Sequence, residues 1–525
     1  MRTVGERLVE GLAARGVKVV FGIPGVHTVE LYRGLSGSGI RHVTARHEQG
    51  CAFMADGYAR VSGQPGVAFV ITGPGLTNAL TGMAQARADS IPILVISGVN
   101  HGSVQGLGHG WLHELPEQAA MVRALCPTRQ ITKPSEVAPA LDWAFDLMTS
   151  GRPGPVHLEV PTDVMPMPCD VLPAPAPRSA KIVPPQADLA AAAKRLNAAA
   201  RVVILSGGGV RGQEPALRAL AEILDAPVVQ TNNARGLLHR HPLCVPASPS
   251  LEATRILLRN ADQVLAIGTE FGPTDYDMYV NADFPDLPGL VRIDVSSAQL
   301  NRRPAAVKLC GDAGATMSAL LPLLTAHPGD GAARAEATRS AARAELAEAS
   351  AQMPGQLEMV EAIRTALPRC IIVGDSTQPV YAANLFYSHD RPGGWFNAAT
   401  GYGALGFAPG AAVGAALASP GTRVICLIGD GGLQFSPGEL RTAVDERLPI
   451  TFLVWNNAGF REIADAMRGA NTEVIGCSPS PLRLEPFAAA CDLPFTSIAQ
   501  DPEVLHWALT QPNDGPRLIE VRVTL

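Results

Sequence analysis

A glycine-rich turn and an asparagine pair constrain this chain more than any other feature. The apolar run Val424-Ile425-Cys426-Leu427-Ile428 reads as a buried strand and ends in Gly429-Asp430-Gly431-Gly432. A helix-like stretch follows, then a second apolar strand, Pro449 to Trp455, which closes on Asn456-Asn457. Asp430 and Asn457 are 27 positions apart. In open α/β sheets ligands sit beyond the carboxyl ends of the strands, and both turns fall there. Mg²⁺ takes hard oxygen ligands, which the Asp430 carboxylate and an asparagine carbonyl supply. Glycines let the backbone approach phosphates closely. The segment can therefore hold a divalent metal that carries a diphosphate. Either turn alone is what ordinary strand ends give, since Gly, Asp and Asn are turn residues. The combination is the informative part.

The rest of the chain supplies two more blocks of the same kind. With 525 residues there is room for about three domains. A composition of 47% hydrophobic and 17% charged residues is that of a core-rich protein. The first block, residues 1–165, alternates helical stretches with the strands Val19-Val20-Phe21, Gly66 to Ile71 and Ile93 to Ile96. Pro166 to Pro185 reads as a linker. The second block, 187–324, carries the strands Val202 to Leu205, Gln263 to Ile267 and Val291 to Val295. A linker and helix rich in Ala, Arg and Glu lead to the third block, 354–525, which opens with a helix and the strand Cys370 to Val373. Such alternation predicts an α/β fold of three doubly wound parallel sheets.

A net charge of −6 gives no electrostatic footprint for nucleic acid. No apolar run reaches a membrane-spanning length, and the N-terminal residues lack the pattern of a signal peptide. Nine scattered cysteines without a C-x-x-C pair predict a reduced, cytoplasmic protein.

In the first block, Glu48 opens a small-residue, apolar helix after Arg46-His47. A carboxyl in that position is expected to be partly buried and to share a proton with a ligand nitrogen, although a helix-start carboxylate also simply complements the dipole. The neighbouring motifs decide the weighing. Phe21-Gly22-Ile23-Pro24-Gly25, the Arg46 to Arg60 run, Thr72-Gly73-Pro74-Gly75, Gly154 to Pro161 and Gly429 to Asn457 occur in order. Together they resemble the acetolactate synthase/2-oxo-acid decarboxylase family of thiamine-diphosphate enzymes across essentially the whole chain.

The resemblance implies roles by position. Glu48 matches the glutamate that contacts the cofactor's aminopyrimidine ring and promotes the tautomer that activates it. Asp430 and Asn457 match the side-chain metal ligands, with Gly459 as the carbonyl ligand for Mg²⁺. Gly403 matches the carbonyl that meets the aminopyrimidine, and Leu405 the wedge that bends the cofactor. Pro24, Gly25, Thr72, Asn78, Ser376, Thr377, Gln378, Gly429, Gly431 and Gly432 fall at cofactor-contacting positions, the last six at the diphosphate end. Glu48 and the metal site of one active site come from different subunits in this family, so a homodimer is the minimum unit and a homotetramer is expected.

The substrate is expected to be a small 2-oxo acid. The segments Gly22 to Arg33, Leu112 to Pro116 and Gly374 to Pro379 are similar to the 5-guanidino-2-oxopentanoate (2-ketoarginine) decarboxylase branch, which acts in arginine breakdown. Glu114 and Glu462 would suit a cationic tail, because carboxylates bind guanidinium bidentately, with Ile463 beside them. His27 and His113 are the two histidines expected to move protons. An acetolactate synthase-like carboligase and a benzoylformate-type decarboxylase are the alternatives, and a non-catalytic scaffold is the reading least compatible with Glu48, Asp430 and Asn457 together. Many acetolactate synthases bind FAD in the middle block. Gly207-Gly208-Gly209 resembles a remnant of that site, but Gly268 to Pro273 lacks the arginine of the flavin motif, so FAD is not expected.

Overall fold

The computed structural model describes residues 1–276, 287 and 289–523, so parts of the second and third blocks lie outside the described residues. It contains three six-stranded sheets in which every pairing is parallel. The first runs, across the sheet, Arg41–Thr44, Val19–Gly22, Gly66–Val70, Ile93–Val99, Pro155–Pro161 and Thr128–Gln130. The third runs Trp395–Asn397, Ile371–Gly374, Val424–Gly429, Ile450–Asn456, Arg517–Arg522 and Phe495–Ala499. Numbered along the chain within each sheet, both orders are 2-1-3-4-6-5, so the same topology is used twice. The middle sheet has its own order and is built from strands between Val202 and Cys310.

The expected strands are all present, each within a residue or a few of its predicted ends. Helices cover both faces because the central strands are buried on both sides, as Val424–Gly429 and Ile450–Asn456 are over nearly their whole length. Residues 166–185 form no helix, and Gly331–Ala349 is the helix that follows the second block. Pro409, unexpected inside a helix, sits in the first turn of Phe407–Ala418, where a missing N–H costs little.

In each outer sheet the chain leaves one neighbouring pair of strands in opposite directions: Val19–Gly22 and Gly66–Val70 in the first, Ile371–Gly374 and Val424–Gly429 in the third. These are the switch points where a crevice opens at the strand ends. The two sheets are joined by the helices Glu48–Ser62 and Phe407–Ala418, which approach backbone to backbone. A Cβ on Gly57 would collide with the carbonyl of Ala411, and one on Gly414 with the carbonyl of Met54. Glu439, almost wholly buried, adds a polar tie, accepting from the Arg46 and His47 N–H groups at 3.1 and 3.2 Å.

Gly414→Ala places a methyl on a backbone oxygen that cannot retreat. It should cost about 1–3 kcal/mol, seen as a lower urea midpoint. A wild-type midpoint would show that the helices do not meet as described.

Candidate active site

The register of the third sheet sets one half of the site. Gly429 pairs with Trp455, so Asp430 and Asn457 leave neighbouring strands at the same level. Asp430 is buried, and burial raises its carboxyl above the usual range, while the Asn457 N–H, 3.4 Å from Oδ1, acts in the opposite direction. Ala458 at φ 60° and Gly459 at φ 144° turn the chain sharply. A Cβ on Gly459 would stand 2.5 Å from the Cys477 carbonyl, so only glycine fits. The turn brings the Gly459 carbonyl oxygen within 2.8 Å of one end of the Asn457 side-chain amide, which is itself 3.3 Å from Asp430 Oδ1. With the Asn457 oxygen on that side, three oxygens meet with no proton between them. In an octahedral Mg²⁺ shell adjacent ligand oxygens are about 2.9–3.0 Å apart, so the donor set and its spacing fit that ion. A cation would also offset the cost of burying the Asp430 charge.

Around this cluster the glycines leave little spare room. A Cβ on Gly429 would lie 3.2 Å from Thr377 Oγ1, and one on Gly431 would lie 2.6 Å from the Phe460 ring. Gly432 faces Asp375 Oδ1 at 3.1 Å in the same sense. Burial pushes the Asp375 carboxyl up to about 6, and it accepts from the Ser376 and Ala408 N–H groups at 2.9 and 3.0 Å. It thereby joins the Ser376-Thr377 turn to the start of Phe407–Ala418. Just before that helix, Gly403 and Gly406 both have positive φ. The first block clamps this segment: Gln85 Oε1 accepts from the Ala404 N–H at 3.2 Å. Gly403 is exposed and Leu405 half-buried.

The other half lies at the switch point of the first sheet. Glu48 is half-buried and accepts from Asn78 Nδ2 at 3.0 Å, with Gly75 close by. Gly25 packs on Ile71, and Pro24 is exposed beside it. Thr72 Oγ1 and His27 Nδ1 are buried without a hydrogen bond, the state of polar atoms that a ligand would satisfy. The structure brings His27 and His113 together, their rings edge to face at 5.5 Å and 84°. Burial, and then the nearby His113, hold the His27 imidazole below its usual range.

Other side chains near the two half-sites differ in their surroundings. Glu114 turns back on its own loop and accepts from the Gly108, Gly110 and Trp111 N–H groups at 2.8, 2.8 and 3.0 Å. Gln378 is buried and its Oε1 accepts from Trp455 and Asn457. Glu462 and Ile463 are exposed on the helix Arg461–Gly469, and the charge of Glu462 reinforces the rise that burial imposes on Tyr381. Gln118, which spacing did not single out, anchors the His113 loop: its Oε1 accepts from the Gly73 N–H at 3.0 Å and its Nε2 donates to Glu159 at 3.0 Å. Gly207 packs against the Gly268 backbone with no room for a Cβ, which accounts for a glycine there.

Comparison with known proteins matches the half-sites to described domains. Residues 2–121 match the thiamine pyrophosphate enzyme N-terminal TPP binding domain, 189–320 the central domain and 375–521 the C-terminal TPP binding domain. The chain belongs to the thiamine pyrophosphate enzyme family. Within it, the chain is 43% identical to "Probable 2-ketoarginine decarboxylase AruI" of Pseudomonas aeruginosa, over 91% of this chain and 86% of that protein. It is 30% identical to the acetolactate synthase isozyme 1 large subunit of Escherichia coli, over 99% and 94% of the two chains. The acetolactate synthase of Mycobacterium bovis is 33% identical over 87% and 76%. In this thiamine pyrophosphate enzyme Glu48 and Asn78 fall in the first TPP binding domain and the oxygen cluster in the second.

Removing the His113 ring should raise the titration midpoint of His27 but leave it below that of an exposed histidine, because burial is the larger cause. NMR titration of His113→Ala tests this; an unchanged His27 midpoint contradicts the coupling.

Proposed function

We propose that this enzyme decarboxylates a 2-oxo acid with thiamine diphosphate and Mg²⁺, and that the substrate is 5-guanidino-2-oxopentanoate, giving 4-guanidinobutanal and carbon dioxide in arginine breakdown. The convergence of the Asp430 carboxylate, the Asn457 amide and the Gly459 carbonyl at the strand ends is the observation that carries the cofactor reading. When bound, thiamine diphosphate supplies a carbon nucleophile for the 2-oxo carbon and an electron sink as carbon dioxide departs.

The protein's part is binding, orientation and proton handling. Asp430, Asn457 and Gly459 would hold Mg²⁺, and Gly429, Gly431, Gly432, Ser376 and Thr377 would receive the diphosphate through N–H and hydroxyl groups. Glu48 would share a proton with the aminopyrimidine while Asn78 engages one of its oxygens. The Gly403 carbonyl and Leu405 would set the ring's posture, with Pro24, Gly25 and Thr72 lining its other side. His27, kept neutral by burial, can accept and return a proton beside His113. Glu462 would pair with the guanidinium and Ile463 would cover its methylenes. Glu114, whose oxygens hold the loop, would shape the pocket without touching the substrate.

A homodimer is the minimum unit in this reading and a homotetramer the expected assembly. Val26, Trp111 and Leu112 of the first half-site and Tyr402, Phe435 and Ile463 of the second are exposed in a single chain, as residues awaiting a second copy would be. No helix among the described residues is long and apolar enough to cross a membrane. Nine free cysteines, eight of them buried, support the cytoplasmic reading. A cleft of about 720 Å³ beside Gly207–Gly209 and Arg211 has room for a nucleotide-sized group. We expect no flavin there, which an absorbance spectrum of the purified protein checks.

The likeness to acetolactate synthases makes the carboligase the second reading. Carbon dioxide release from pyruvate, branched-chain, aryl and guanidino 2-oxo acids separates the two. The guanidino acid should be preferred by at least about tenfold in kcat/KM, about 1.4 kcal/mol; accumulation of acetolactate from pyruvate would overturn the proposal. Glu462→Gln should raise KM for the guanidino acid about tenfold with kcat little changed. Glu48→Gln should lower kcat by about 10²–10⁴; full turnover in that variant removes Glu48 from the chemistry.

A further inference from the structure

Asn457 could present either end of its amide to the metal cluster, and only one end is useful to a cation. Turned over, its NH₂ would donate to Gly459 O at 2.8 Å and to Asp430 Oδ1 at 3.3 Å, satisfying itself and placing protons where a cation should go. Hydrogen bonding within the cluster alone favours that orientation. Something further from the cluster has to oppose it.

The opposing interaction begins at Trp455, two residues before Asn457 and 1% exposed. An indole N–H is a donor only. Trp455 Nε1 donates to Gln378 Oε1 at 3.1 Å, which fixes that atom as the oxygen and hence fixes the Gln378 amide. The same oxygen lies 3.1 Å from Asn457 Nδ2, so the Asn457 NH₂ points to it. With the Asn457 amide reversed, two carbonyl oxygens would face each other at that 3.1 Å, and neither carries a proton. Burial makes the unpaired arrangement costly, since Gln378 and Asn457 are 8% and 7% exposed.

We propose that Trp455 and Gln378 are positioning residues that hold the Asn457 amide with Oδ1 toward the cation. This rests on the Mg²⁺ reading of the Asp430, Asn457 and Gly459 cluster. It also reassigns Gln378: its Oε1 serves the Asn457 amide, where sequence position pointed to the diphosphate. Partners of metal ligands typically change metal affinity by about 10–100-fold when removed.

The test is Mn²⁺ affinity of the full-length protein at a fixed thiamine diphosphate concentration, read from the electron paramagnetic resonance signal of free Mn²⁺. Gln378→Leu and Trp455→Phe should each weaken Mn²⁺ binding about 10-fold or more. Gln378→Glu keeps an acceptor for both donors and should stay within about threefold of wild type. The double variant should bind no more weakly than Gln378→Leu, because both changes cut one chain of hydrogen bonds. Gln378→Leu is close in volume, so it reports even where Trp455→Phe loosens the core. Wild-type Mn²⁺ affinity in Trp455→Phe, or a loss in Gln378→Glu as large as in Gln378→Leu, overturns the proposal. Asp430→Asn separates the two levels of the argument. If it loses Mn²⁺ while Trp455→Phe and Gln378→Leu do not, only the relay is wrong; if it also binds normally, the metal reading itself falls.

Discussion

Two helices in backbone contact determine how everything else in this protein is placed. Glu48–Ser62 and Phe407–Ala418 meet through Gly57 and Gly414 with no space for a side chain, which makes the first and third sheets one rigid body. Glu48 stands at the start of one helix, and the Gly403 to Gly406 segment leads into the other. Neither half-site can shift without moving the helix pair. The clamp of Gln85 on Ala404 and the seat of Glu439 under Arg46 and His47 reinforce the same junction.

That rigidity suits the chemistry of a bound cofactor. Each half-site presents groups that are unsatisfied or costly in isolation. Thr72 Oγ1 and His27 Nδ1 are buried without partners, Asp430 is a carboxyl raised by burial, and the Asn457 amide and Gly459 carbonyl crowd beside it at the strand ends. Because they sit on a closely packed scaffold, these groups need little ordering on binding. Because both half-sites are built on the same 2-1-3-4-6-5 sheet, each sits at a switch point where strand ends diverge.

Much of this was legible in the amino-acid sequence. Strand–turn patterning and the spacing of Asp430 and Asn457 are local signals, and the strands ended close to where glycine and asparagine marked them. The three-sheet α/β class followed from the same alternation. What the sequence did not reveal depends on contacts between distant segments. The oxygen of Gln378 meets Trp455 and Asn457 across the ends of two strands that have Val424–Gly429 between them, and no spacing rule encodes which end of an amide faces a metal. A buried Trp immediately before an asparagine pair was the available clue, because its N–H has to find an acceptor. Glu114 was read as pocket-facing from its position, whereas three glycine-rich loop amides lie close enough to capture it. The strand order shared by the first and third sheets left no visible trace in residue identity.

We propose that Glu48 of one chain and the Asp430 cluster of another complete a single site. Co-expressing Glu48→Gln chains with Asp430→Asn chains tests it directly. Each variant alone should be nearly inactive, yet a statistical mixture of dimers should recover about a quarter of wild-type activity, because half of the dimers carry one site with both native halves. Mixed dimers that form but show no recovery would contradict the account.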